Sequence, residues 1–213
     1  VNYKKAHSQT LLPMLDEAAT MINMNLKTVD AIAVAGGPGS FTGLRIGSAT
    51  AKGLGLALNK PLISVPTVEA LAYNLYDTEG LVCPMLDARR FQVYTGIYRF
   101  KHHKLITVMS QTSEAVVNLA KKLNALGESI TFLGDGAVVY WEMLQKLLKV
   151  PFTEAPLHLN KQRAGALGVL ALRYYEAGEI QTAREYHPTY LSLSQAERER
   201  IKRELFEMGA IRV

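Results

Sequence analysis

The sequence predicts an α/β protein, with mixed sheets covered by helices. Short apolar runs rich in β-branched residues alternate with helical faces through the first part of the chain. Three strand-like runs then follow one another directly, and strand and helix alternate again after them, the pattern of helices packed on parallel or mixed sheets.

In order along the chain, Val1, Asn2, Tyr3, Lys4 and Lys5 read as the end of a strand. Leu11, Leu12, Leu15, Ala18, Ala19 and Ile22 then trace one apolar helical face. Pro13 limits where that helix begins: either near Leu12, with the proline in the first turn, or after a looser turn. Residues 30–35, with Ile32 and Val34, read as an interior strand. Gly36, Gly37, Pro38 and Gly39 supply backbone freedom after it, and Ser40 or Thr42 offers an N-cap oxygen to the next helix. In that helix Gly43, Gly47, Ala51 and Gly55 recur at every fourth position, a stripe of small side chains that another backbone can approach closely. Residues 61–65 read as a strand, and Thr67 as the cap of a helix carrying Leu71, Ala72 and Leu75.

A second sheet begins with residues 81–87, 92–100 and 105–110, turning at Arg89-Arg90 and at Lys101-His102-His103-Lys104. Thr112 or Ser113 is expected to cap a helix that runs through Leu126 and ends at Gly127. Residues 130–133 form a short strand, and Gly134-Asp135-Gly136 turns into a helix through Leu148. Residues 163–175, rich in alanine, leucine and glycine, read as a buried helix. The segment from Tyr186 to Leu191 is extended; Ser194 and Glu197 make a capping box before a charged helix with a narrow stripe of Ile201, Leu205 and Met208. The domain reading is residues 1–78 as an N-terminal lobe incomplete at its start, 79–193 as a C-terminal lobe, and 194–213 as a helix packing at an edge.

With 213 residues, 48% hydrophobic and 20% charged, the chain can bury real cores, and its net charge of +5 suits an anionic partner such as RNA without requiring one. The single cysteine, Cys83, sits in an apolar run and reads as a buried structural thiol; the expected compartment is a reducing cytoplasm. No apolar run reaches membrane length, and no leader pattern stands at the N-terminus. Adjacent His102 and His103 among lysines read as a solvated turn, and Asp135 between glycines as turn chemistry before a nucleotide or metal site. No nucleophile elbow, metal-spaced cysteine pair, zinc-binding helix motif or nucleophile and base set is present, so no catalytic residue and no metal ligand is assigned. The glycine segment admits two explanations. Its backbone N–H groups could cradle phosphate, although neither a P-loop lysine nor the dinucleotide spacing follows, or it could be a tight strand-to-helix turn with close packing.

Four motifs together resemble the bacterial TsaB (YeaZ) family: His7-Ser8-Gln9 with Leu11-Leu12-Pro13, the segment Gly36-Gly37-Pro38-Gly39-Ser40-Phe41-Thr42-Gly43-Leu44-Arg45-Ile46-Gly47, Asp87-Ala88-Arg89, and Pro188 with Tyr190-Leu191. The resemblance implies the two-lobed actin, sugar-kinase and chaperone (ASKHA) fold. It also implies a non-catalytic scaffold without a cofactor, serving threonylcarbamoyladenosine modification of tRNA with a catalytic paralogue, TsaD, and an ATPase, TsaE. Tyr190-Leu191 is followed by Ser192 where the family usually has arginine. Family members open with a strand hairpin and an Asp-Thr-Ser-type turn that this sequence does not show, so the first strands of the lobe are expected to lie outside it. A nucleotide-binding transferase or a peptidase acting alone is the competing class. The expected partner surface comprises Leu12, Leu15, Ala19 and Ile22 on the first helix and Gly43, Gly47, Ala51 and Gly55 on the second, closing a four-helix bundle with the paralogue or, in its absence, with a second copy.

Overall fold

The computed structural model describes residues 7–192. The strand ending read at Val1 to Lys5, the capping box at Ser194 and Glu197, and the stripe of Ile201, Leu205 and Met208 lie outside the described residues.

Helix α1 (His7–Met21) starts earlier than the sequence suggests and carries Pro13 in its interior. A proline there removes one donor, and the carbonyl left without it belongs to Gln9, which is exposed to water. Asn23, in the left-handed region with φ 51°, turns the chain away from the helix. Strand β1 (Ile32–Gly37), helix α2 (Phe41–Leu58) and strand β2 (Leu62–Pro66) form a parallel β–α–β unit, with Ile32 opposite Leu62 and Ala35 opposite Val65. Among the described residues β1 pairs only with β2, and residues 32–35 are half-buried. Ser40 is the N-cap of α2: its Oγ accepts from the Gly43 N–H at 3.4 Å. Thr67 does not cap helix α3 (Thr67–Ala72); Pro66 holds that position, and Thr67 is the first helical residue with its hydroxyl engaged elsewhere.

The second sheet runs β5-β4-β3-β6-β7, comprising β3 (Leu81–Asp87), β4 (Gln92–Lys101), β5 (Lys104–Ala115), β6 (Ile130–Leu133) and β7 (Phe152–Glu154). It is mixed: β3, β4 and β5 are antiparallel neighbours, whereas β3, β6 and β7 are parallel. Strand β5 outruns its predicted end because Thr112 and Ser113 pair with Thr95 and Tyr94; ladder bonds use residues that the sequence offered as caps. Helix α4 (Val116–Leu126) accordingly begins at Ala115 without a side-chain cap, and ends at left-handed Gly127. The helix after Gly134 is two helices, α5 (Asp135–Val139) and α6 (Trp141–Leu147), broken at Tyr140, whose side chain is drawn to Asp87 and Phe91. Strand β7 has only three residues and no readable alternation.

Leu81, Cys83 and Met85 pack with Phe132, Leu119, Leu123 and Leu144 on one side of this sheet, while Val82 packs with Tyr98, Leu71 and Leu133 on the other. Strand β3 is buried on both faces, hence its unbroken apolar run. Helix α7 (Ala164–Glu176) returns to cover β1 and β2. Contrary to the buried helix expected, only Leu170 and Ala171 are buried, while Val169 and Leu172 face solvent, because a two-stranded sheet covers a single stripe of a helix.

Candidate functional site

The start of the glycine segment, Gly36 and Gly37, is engaged within the chain. The Gly37 N–H donates to Thr67 Oγ1 at 3.1 Å, and the Gly36 carbonyl accepts from the Thr189 N–H at 2.7 Å. A Cβ on Gly36 would run into the Ser64 hydroxyl. Gly37, at φ 108°, adopts a conformation suited to glycine, and a Cβ there would run into the Thr189 carbonyl. Residues 186–192 strap this corner: Tyr186 Oη meets Ser48 Oγ at 3.3 Å, Tyr190 packs at 5.1 Å on Phe41, Arg45 lies 4.2 Å over the Phe41 ring, and Ser192 bonds to Tyr94. Of the two explanations that the residues allow, this geometry supports close packing at Gly36 and Gly37, where Ser64 and Thr189 fill the space a side chain would take and Thr67 takes the Gly37 N–H. Thr189 carries no signal for this in sequence.

A second glycine turn faces the end of β3. Gly134, at φ 100°, lies so close to the Met85 carbonyl that no side chain fits, and Asn160, buried, accepts from its N–H. Asp135, the first residue of α5, accepts through Oδ1 from the Asp87 N–H at 3.1 Å, a contact across the chain to the end of β3 in place of local turn chemistry. Asp87 Oδ1 in turn accepts from the Arg89 N–H at 2.8 Å and from Tyr140 Oη at 2.9 Å. Oδ1 of Asp87 and of Asp135 is thus engaged in holding this corner together, and among the described residues no group of three acidic, histidine or cysteine side chains could hold a metal.

Cys83 is fully buried beside Thr95 Oγ1, and burial pushes its thiol up to about 12, out of the range of a nucleophile at neutral pH. His102 and His103, at φ 49° and 61°, form the two-residue turn between Lys101 and Lys104; His103 reaches Asp77 at 2.8 Å.

On α1, Leu12 and Leu15 are exposed at 53% and 43%, with Met14 and Met21 beside them, and Ile22, just past the helix end, at 69%. Ala19 is buried toward the body of the protein. The small stripe on α2 divides. A side chain at Gly47 would meet nothing within 4 Å, and one at Gly43 only its own cap Ser40, whereas Ala51 is buried and a Cβ at Gly55 would touch Leu62 at 3.0 Å and the Lys60 carbonyl at 3.1 Å. Gly43 and Gly47 on α2 and Leu12, Leu15 and Ile22 at α1 are thus open, while Ala19, Ala51 and Gly55 are committed to internal packing.

Residues 2–200 match the family model described as TsaD: tRNA N6-adenosine threonylcarbamoyltransferase, and with it the two sheets and their helices take the mixed α/β architecture of the actin and sugar-kinase-like class. A crystal structure of an uncharacterized protein with similarity to peptidase YEAZ from Pseudomonas aeruginosa superposes with a TM-score of 0.74 at 28% identity, covering 88% of this chain and 85% of that one. The tRNA threonylcarbamoyladenosine biosynthesis protein TsaB of Bacillus subtilis (strain 168) is 32% identical over 197 residues, 91% of this chain and 83% of its own. A tRNA N6-adenosine threonylcarbamoyltransferase from Protochlamydia amoebophila is 35% identical over 127 residues, 56% of this chain and 37% of its own. The chain belongs to the TsaB (YeaZ) family.

Proposed function

We propose that this chain is a non-catalytic subunit in the threonylcarbamoyladenosine modification of tRNA, supporting a catalytic TsaD paralogue together with the ATPase TsaE. The observation that carries this reading is the exposure of Leu12, Leu15 and Ile22 at α1, a helix packed on α2, whose Gly43 and Gly47 leave their backbone bare. Apolar side chains and a small-residue groove on neighbouring helices suit two helices of another subunit, closing a four-helix bundle. With the paralogue absent, a second copy covers the same face in a symmetric homodimer. The use of Asp87 and Asp135 in holding turns supports scaffold over peptidase. The proposed lobes divide near residue 78, with α7 and the strap crossing back to the first. No helix among the described residues is long and apolar enough to cross a membrane, and a cytoplasmic location accords with tRNA as the modified molecule.

The test is Leu15→Asp and, separately, Gly47→Leu, each assayed for pairing with itself, for pairing with the catalytic subunit, and for tRNA modification. Folded variants that no longer pair, with modification lost, are expected. Parent-like pairing in both variants overturns this surface, and turnover of nucleotide or peptide by the isolated chain overturns the scaffold reading.

A further inference from the structure

The hairpin that joins β3 to β4 turns through Arg89, Arg90 and Phe91, at φ 65°, 53° and 59°. Three successive left-handed residues, none of them glycine, crowd each Cβ against the following carbonyl, so this backbone persists only because its surroundings impose it. Asp87 holds the Arg89 N–H at 2.8 Å, the Phe91 carbonyl accepts from the Val116 N–H at 3.0 Å, and the Phe91 ring lies 6.1 Å from that of Tyr140. All three side chains nonetheless point into solvent, Phe91 with 65% of its surface exposed. Among the described residues neither guanidinium enters an ion pair. Beyond the edge of the Phe91 ring that meets Tyr140, these groups are left to solvent, and the chain accepts a strained turn that presents them side by side.

Guanidinium forks match phosphate oxygens, and an exposed aromatic face next to them stacks on a base that is free of a pairing partner. A base inside a duplex hides its face, so this combination fits looped or single-stranded nucleotides. We propose that Arg89, Arg90 and Phe91 form a direct contact to unpaired nucleotides of the RNA, the arginines on consecutive phosphates and Phe91 stacked on a base. This rests on the reading that the chain serves a tRNA-modifying assembly.

The experiment uses the full chain with its catalytic subunit and measures binding of labelled tRNA between low and moderate salt. R89Q/R90Q is expected to flatten the slope of log affinity against log salt by about 1.5, the release expected for two phosphates. Phe91→Ala is expected to weaken binding roughly 5- to 100-fold with the slope unchanged, and Phe91→Trp to restore it. Emission of the indole that Phe91→Trp introduces, separated from that of Trp141 by difference, should be quenched by an RNA loop and not by a blunt duplex. Unchanged affinity and slope in the arginine and alanine variants overturn the proposal, as does equal quenching by duplex. Loss of subunit pairing in R89Q/R90Q without RNA overturns it too, by making the loop a protein contact. Modification by the parent assembly is followed in parallel: its absence overturns the functional reading and this proposal with it, whereas normal modification with an unchanged slope overturns this proposal alone.

Discussion

Gly36 and Thr189, far apart in the chain, are joined by a 2.7 Å hydrogen bond from the Thr189 N–H to the Gly36 carbonyl, and the Thr189 carbonyl fills the space beside Gly37 where any side chain would go. Gly37→Ala must therefore both adopt a left-handed backbone and push the strap away. We expect a loss of about 2–5 kcal/mol from these two effects, read by denaturant unfolding. Gly36→Ala meets chiefly the Ser64 hydroxyl, which can rotate, and should cost less. Equal costs would show that the strap does not pack as described.

The two halves of the small stripe on α2 should respond with opposite sign. Gly55→Leu intrudes on Leu62 and the Lys60 carbonyl and is expected to destabilise by about 1–3 kcal/mol. A Cβ at position 47 meets nothing within 4 Å, and Gly47→Leu should stabilise the monomer by about 0.5–1 kcal/mol through helix propensity. Thermal melts of the two variants at concentrations where the parent is monomeric decide between them; a destabilised Gly47→Leu would place that glycine against this chain's own core.

Glu69 accepts a hydrogen bond from Tyr174 Oη at 2.8 Å, and burial raises its carboxyl above the ordinary 4.5, the tyrosine bond opposing this and nearby Glu179 adding to it. The protonated form is thus favoured by folding. Its contribution is fully present below pH 4.5 and is lost as pH rises through the higher folded value. Glu69→Gln keeps an acceptor for Tyr174 without a charge, so the melting temperature of the variant relative to the parent should climb as pH rises across that window. A difference that stays constant with pH would argue against a buried carboxylate.

Cys83 should resist alkylation in the native protein, because its thiol is fully buried and pushed up to about 12. Iodoacetamide labelling near pH 8 is expected to proceed only at the rate of unfolding and to accelerate in denaturant. Labelling at the rate of a free thiol in native conditions would contradict this.

Relief of strain at the β3–β4 turn offers a further measurement. Arg90→Gly removes a Cβ from a residue at φ 53° and should raise stability by about 0.5–1 kcal/mol, whereas Arg90→Ala keeps the Cβ and should not. Identical unfolding midpoints for the two would mean that the left-handed turn stores no strain.

Local chemistry was legible where it is decided within a few residues. The strands of residues 81–87 and 130–133 could be read from their apolar runs, the helix cap as Ser40 or Thr42 from their hydroxyls, of which the structure uses Ser40, the left-handed end at Gly127 from a glycine after an apolar face, and the buried thiol of Cys83 from its neighbours. Tertiary contacts decided the rest. Thr112 and Ser113 are as good as caps as they are in a ladder, and only the presence of β4 alongside settled them as strand. The stripe of Gly43, Gly47, Ala51 and Gly55 has one spacing but two surroundings, because β2 lies under its C-terminal half alone. Gly36 and Gly37 announce in sequence that something approaches the backbone closely; that it is the Thr189 strap depends on a return of the chain across the whole fold, which no local pattern of residues encodes.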